Sequence, residues 1–162
     1  MADRDAAKTP ESDTYRRGAA MRRQLLGDAY VERASQSTYR DPIMRTFIDV
    51  ATETVFGALW TRPGLDLKTR TLVCVVSDAA TARYPELAIH LRMALRQGWT
   101  EEELTEALLH MSGYVGVPII REALLTARDV FEHAPPPPPT SPPPLPTNRG
   151  KGGRERRSSL QR

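Results

Sequence analysis

Glu86 and His90 stand four residues apart, and on a helix that spacing stacks a carboxylate and an imidazole on one side. Such a pair suits proton transfer, because imidazole titrates near neutral pH and an adjacent carboxylate fixes its tautomer. On an open helix surface the same two residues would only form an i,i+4 pair contributing about 0.2–0.5 kcal/mol. By helical angle they flank the apolar stripe Leu87, Leu91 and Ala94, at the border between core and surface. Arg62 and Arg70 are the candidates for gripping a substrate carboxylate, since a guanidinium meets a carboxylate through two parallel N–H bonds. Arg70 precedes the apolar run Leu72–Val76, where burial would demand a partner for its charge. Asp78, set among Val75, Val76, Ala79 and Ala80, offers a structural ion pair to Arg70 or to another basic residue.

Other reactive side chains are thinly spread. Trp60 and Tyr114 either line a pocket or pack as ordinary aromatics, His110 falls beside Glu103 and Glu106 on a helix flank, and His133 leads into a proline run. Three scattered histidines form no metal-type cluster, so no metal is expected. There is neither a glycine-rich phosphate loop nor a Gly-x-Ser-x-Gly turn, which leaves nucleotide and acyl-enzyme chemistry without support. Cys74 is the single cysteine, so one chain supplies no intramolecular disulfide and no CxxC site. Its place in an apolar run reads as core packing.

Charge and proline are unevenly distributed over the 162 residues. Nine of the 14 prolines lie between Pro135 and Pro146, and residues 134–162 carry six basic side chains against Glu155. The overall charge of +3 therefore belongs to this tail, at +5, while the remainder sums to −2. A basic balance of that kind does not make the folded part a nucleic-acid binder. No apolar run approaches the roughly 18 residues that span a bilayer, and Asp3, Asp5 and Glu11 sit where a secretory leader would be apolar, so a cytoplasmic protein without membrane contact is expected.

These limits divide the chain into a polar, unstructured 1–14, a folded 15–133, and a stiff polyproline and basic tail at 134–162. Within the folded part the punctuation is helical. Tyr15–Arg33 reads as one helix; Asp41-Pro42 caps a second; Asp66 caps a third, whose β-branched run at 72–76 would equally suit a buried strand but whose roughly sixteen residues without a turn signal favour helix by length. Pro85 opens a fourth that Gly98 closes in a left-handed conformation. Thr100 and Glu103 form a capping box for a fifth, which Gly113 and Gly116 interrupt, and Pro118 starts the last. The expected fold is all-α, about six packed helices.

The segments Trp60-Thr61-Arg62-Pro63-Gly64-Leu65-Asp66, Thr69-Arg70-Thr71, Glu86-Leu87-Ala88-Ile89-His90 and Gly113-Tyr114-Val115-Gly116-Val117-Pro118, with Gly98 and the capping box between them, resemble the carboxymuconolactone decarboxylase family in order and spacing. The resemblance covers residues from about 20 to 132. It implies an alkylhydroperoxidase D-like helical domain, a trimer or hexamer, no cofactor, and one of two chemistries: decarboxylation of a lactone acid, or the thiol peroxidase activity of the redox branch. The redox branch needs two cysteines in C-x-x-C-x-x-x-H, and counting back from His90 those positions are Arg83 and Glu86. Neither side chain can attack a peroxide or resolve a sulfenic acid.

The resemblance therefore implies a cofactor-independent decarboxylase with Glu86 and His90 as catalytic pair, Arg70 or Arg62 as carboxylate grip, and Trp60 and Tyr114 beside the substrate. Ser77, Asp78, Thr81 and Arg83 depart from the plainly apolar stretch of the family's decarboxylases, so a natural-product lactone or keto acid fits as well as an intermediate of aromatic degradation. An isomerase-type member, or a non-catalytic oligomeric scaffold, is the alternative.

Overall fold

The computed structural model describes residues 11–133; the expectations for residues 1–10 and 134–162 lie outside them. Every regular element among the described residues is helical. Helix α1 (Asp13–Leu26) starts two residues before the boundary read from the sequence, because Ser12 caps it: the Ser12 hydroxyl accepts from the Tyr15 amide and donates to the Glu53 carboxylate at 2.6 Å. The single helix expected over Tyr15–Arg33 is broken at Gly27, where φ is +85°. The Gly27 amide donates to Arg23 O to close α1, and its carbonyl accepts from Val31 N to open α2 (Asp28–Gln36). A Cβ at that position would come within 3.2 Å of the Arg96 guanidinium, so glycine meets both the backbone and the space requirement.

The remaining starts follow the capping signals. Asp41 caps α3 (Pro42–Ala51), accepting from Ile43 N and Met44 N, and Asp66 caps α4 (Leu67–Ala80), accepting from Thr69 N. Helix α5 (Tyr84–Arg96) carries Pro85 in its first turn and ends before Gly98, whose φ is +86°. The reciprocal Thr100–Glu103 box opens α6 (Glu101–Val115), and Gly116, with φ +95°, separates it from α7 (Val117–Glu132). Gly113 does not interrupt α6; the break falls at Gly116 alone. Splitting the first expected helix brings the count among the described residues to seven α-helices, to which α3 adds a π-helical continuation over Thr52–Leu59 that ends with Trp60 N donating to Val55 O.

Two apolar clusters organise these helices. The larger joins Val75 and Ala79 of α4, Leu87, Leu91 and Ala94 of α5, Leu104 and Leu108 of α6, and Ile120, Ala123, Ala127 and Val130 of α7. The smaller gathers Leu25, Trp60 and Met93, with Met21, Phe56, Cys74 and Ile89 around them. Helix α5 serves both, turning Leu87/Leu91/Ala94 one way and Ile89/Met93 the other, so it lies at the centre of the domain. Polar ties lock the ends: Trp99 Nε1 donates to Lys68 O at 2.8 Å, and Tyr84 Oη donates to Ile119 O at 3.2 Å. None of the described helices is long and apolar enough to cross a membrane.

Helix α3 stands apart from both clusters. It has no buried residue, and Ile43, Phe47 and Val50, spaced as one helical face, are 80%, 56% and 57% exposed. Its π-helical continuation reaches the body through α1 at a pair of glycines. A Cβ on Gly18 would lie 1.9 Å from Thr52 O, and one on Gly57 would lie 2.3 Å from Thr14 O, so the two backbones are in direct contact. Gly18→Ala must push these backbones apart, and we expect a loss of at least about 1–3 kcal/mol in urea unfolding. Gly113→Ala has nothing within 4 Å of the new methyl group and should stabilise by roughly 0.5–1 kcal/mol; equal effects at the two positions would contradict the close crossing.

Candidate active site

The α4–α5 hairpin builds the one buried acid–imidazole contact among the described residues. Thr81–Arg83 turns the chain between the helices, with Arg83 N bonded to Asp78 O and Ala82 held at φ +55°. The turn returns α5 along α4 so that His90 Nδ1 meets Asp78 Oδ2 at 2.5 Å across a separation of 12 residues. Asp78 is only 8% exposed. An ionised carboxylate can only accept, so Nδ1 carries the proton and donates, which leaves Nε2 of His90 as the nitrogen available to a reactant. Water reaches the imidazole only in part.

The carboxylate partner of His90 is thus Asp78, where the sequence pointed to Glu86. Glu86 lies one turn earlier on α5 and is exposed. The i,i+4 spacing is correct, but the side of α5 that carries His90 inward faces α4, and there Asp78 already occupies Nδ1. Asp78 accordingly does not pair with Arg70. The Arg70 guanidinium instead spans backbone carbonyls, its Nε donating to Leu65 O at 3.0 Å and its Nη2 to Arg62 O at 2.9 Å. Those bonds close the loop between Trp60 and Asp66 and occupy the edge of Arg70 that would grip a carboxylate side-on. Arg62 itself is exposed.

The aromatic candidates separate. Trp60 is buried against Leu25 and Met93 and packs. Tyr114 is 73% exposed on α6, where its ring lies 5.2 Å from that of His110. His133 caps the end of α7, its ring beside Asp129 O at 2.7 Å. Cys74 sits one turn before Asp78 on α4; burial, and secondarily the Asp78 charge, pushes its thiol up to about 11. A thiol so raised is almost wholly protonated at neutral pH and is a poor nucleophile, in keeping with the missing C-x-x-C.

Sequence spacing did not find the Asp78–His90 contact, and it also passed over Arg22. Among the described residues Arg22 is the buried arginine, 8% exposed on α1, and its Nε and Nη2 have no hydrogen-bond partner. The signal for Asp78 was available in the form of an acid inside an apolar helix face; Arg22, in the arginine-rich stretch Arg16 to Arg23, had none.

An all-helical domain whose hairpin encloses an acid–imidazole pair is the class of protein these observations define. The chain belongs to the carboxymuconolactone decarboxylase family, whose model matches residues 46–129. It is 33% identical over 122 residues to 4-carboxymuconolactone decarboxylase of Acinetobacter baylyi, covering 75% of this chain and 90% of that one. It is 36% identical over 111 residues to nitrosuccinic acid decarboxylase of Metarhizium robertsii, covering 68% of this chain and 76% of the relative. Family and named relatives place the chain among decarboxylases.

The buried contact separates the two carboxylates by their weight in the fold. Asp78→Ala strips a partly buried imidazole of its acceptor and should lower stability by about 1–3 kcal/mol, whereas Glu86→Ala, at an exposed position, should stay within about 0.5 kcal/mol of the parent. Thermal or urea unfolding of the two variants checks this, and the reverse order would place the partner of His90 at Glu86.

Proposed function

We propose that this protein is a cofactor-independent carboxy-lyase acting on a small acid in which an electron acceptor lies close to the departing carboxylate. A lactone acid of the 4-carboxymuconolactone kind or a related keto acid fits this description. The nitro acid named for the Metarhizium relative would extend the same logic to another acceptor. The observation that carries the reading is the Asp78–His90 contact, which holds an imidazole half-shielded from water with one nitrogen uncommitted.

Decarboxylation breaks the C–C bond to the carboxylate, and the pair of electrons left on carbon passes into the acceptor as CO2 departs. The developing oxyanion needs a hydrogen-bond donor, and the carbon finally needs a proton. In this reading His90 acts as the imidazolium, its Nδ1–H held by Asp78 and its Nε2–H donating to the oxyanion or passing its proton to carbon, after which Nε2 regains a proton from solvent. Glu86, at the exposed edge one turn away, is the second acid–base group and exchanges protons with solvent. Arg62, or the unoccupied end of Arg70, orients the departing carboxylate, with Tyr114 as a further substrate contact. Arg70 also contributes indirectly by closing the Trp60–Asp66 loop.

A homo-oligomer, a trimer or hexamer, belongs to the same reading, and the bare apolar face of α3 formed by Ile43, Phe47 and Val50 supports it. A cytoplasmic location fits the single free cysteine and is proposed with it. Light scattering of the parent and of Phe47→Glu checks the assembly: we expect a multimer that falls to smaller species in the variant, and a monomeric parent would refute it.

Carbon dioxide release from purified protein incubated with carboxymuconolactone, β-keto acids and nitrosuccinic acid tests the activity. His90→Ala and Glu86→Ala should each lower turnover of the accepted acid by about 10²–10⁴-fold, the usual contribution of a positioned acid–base group, with the helical fold intact. Undiminished turnover in both variants would remove the assignment of the catalytic pair, and failure to release CO2 from any acid of the class would favour the non-catalytic scaffold.

A further inference from the structure

Arg22 lies on the inner side of α1, between Gly18, which touches the π-helical segment, and Leu25, which packs on Trp60 and Met93. The side chain is more than nine-tenths buried, yet two of its three nitrogens, Nε and Nη2, have no acceptor. A guanidinium out of water is strongly disfavoured unless an anion or several acceptors compensate it. None is supplied by the described residues. The ring of Tyr39 covers one face of the guanidinium, with Cζ 5.2 Å from the ring centroid. The groups that bear most on its charge are Tyr39, Tyr30, Tyr15 and the like-charged Arg23, and Arg92 and Arg33 also bear on Tyr30. Tyr15 in turn donates to the Asp49 carboxylate at 2.9 Å, and Glu11 also bears on it, so the surroundings are rich in phenols and carry charges of both signs.

The two orphaned nitrogens are not any two. Nε–H and the neighbouring Nη2–H point in parallel from one edge of the guanidinium, the edge that accepts both oxygens of a carboxylate. In Arg70 the same edge is spent on Leu65 O and Arg62 O. In Arg22 both donors of that edge are buried without an acceptor among the described residues, and Cζ lies over the Tyr39 ring.

We infer that Arg22 is a carboxylate-binding site, taking a small organic acid through a bidentate contact at Nε and Nη2 with Tyr39 stacked on the guanidinium. Two sources of that carboxylate share this chemistry: the carboxylate of the substrate, in which case the site rests on the decarboxylase reading, or a separate small acid, in which case it does not. Met21 and Leu25, which flank Arg22 in sequence, share the smaller apolar cluster with Ile89 and Met93, which flank His90.

The test titrates succinate and malonate into the full-length protein, at constant ionic strength with chloride as control, and follows both the heat of binding and the ¹⁵N-resolved Nε–H resonance of Arg22. Saturable binding with a shift of that resonance is expected, and Arg22→Lys, which keeps the charge and loses the fork, should weaken it at least tenfold. Because the wild-type resonance reports the site directly, the test stands even if a variant fails to fold. His90→Ala should bind succinate undiminished, so loss of turnover in that variant leaves the inference intact. With an accepted substrate, a KM at least tenfold higher in Arg22→Lys and competitive inhibition by succinate identify the substrate carboxylate as the ligand; an unchanged KM with succinate still bound identifies a separate acid. Absence of saturable binding, equal binding in Arg22→Lys, or an Nε–H resonance that moves only with protein concentration, which would mean an acidic side chain of a second copy fills the fork, overturns the inference.

Discussion

A carboxylate cannot remain inside an apolar helix face without a donor, and the α4–α5 hairpin is the device that brings one to Asp78. The three-residue turn Thr81–Arg83 sets the angle and offset between the two helices, and Val75, Ala79, Leu87 and Leu91 hold them together along the larger cluster. Given that packing, His90 has a single place to put Nδ1. The imidazole is thereby oriented by the hydrophobic packing of the hairpin as well as by the hydrogen bond.

The placement of α5 between two apolar clusters explains why its border residues matter. Leu87, Leu91 and Ala94 commit one side to α4, α6 and α7, and Ile89 and Met93 commit another to α1 and Trp60. His90 falls at the seam. Helix α1 is drawn to this seam at one end by Leu25 and is pinned at the other by the glycine crossing at Gly18 and Gly57, where side chains are excluded and backbones touch. The apolar face of α3, by contrast, is left outside every intramolecular cluster, the pattern expected of a surface that another subunit covers.

Arginines in this chain divide by what their side-on edge touches. Arg70 uses it to close a loop, and surface arginines such as Arg16, Arg121 and Arg128 meet neighbouring acids on their own helices, contacts that contribute little in water. Arg22 alone among those described combines burial with an unsatisfied edge. Sequence proximity to a recognisable motif draws attention to Arg62 and Arg70, whereas the balance of donors and acceptors in the folded chain draws it to Arg22.

Most of the fold was legible in the sequence. The caps at Asp41, Asp66 and Thr100, the proline starts of α5 and α7, and the left-handed Gly98 act through backbone groups within a turn of themselves, so local chemistry determines them. The all-helical class and the inertness of Cys74 follow equally from composition and run length. The break at Gly27, the π-helical stretch after Ala51, the choice of Asp78 over Glu86 and the isolation of Arg22 were decided by tertiary structure. Each depends on which segment arrives from elsewhere in the chain: Arg96 against Gly27, α1 against the π-helical segment, α4 against His90, and Tyr39, in the turn after α2, over Arg22. A spacing of four residues can state that two side chains share a side of one helix, but which acid meets an imidazole is settled by the crossing of two.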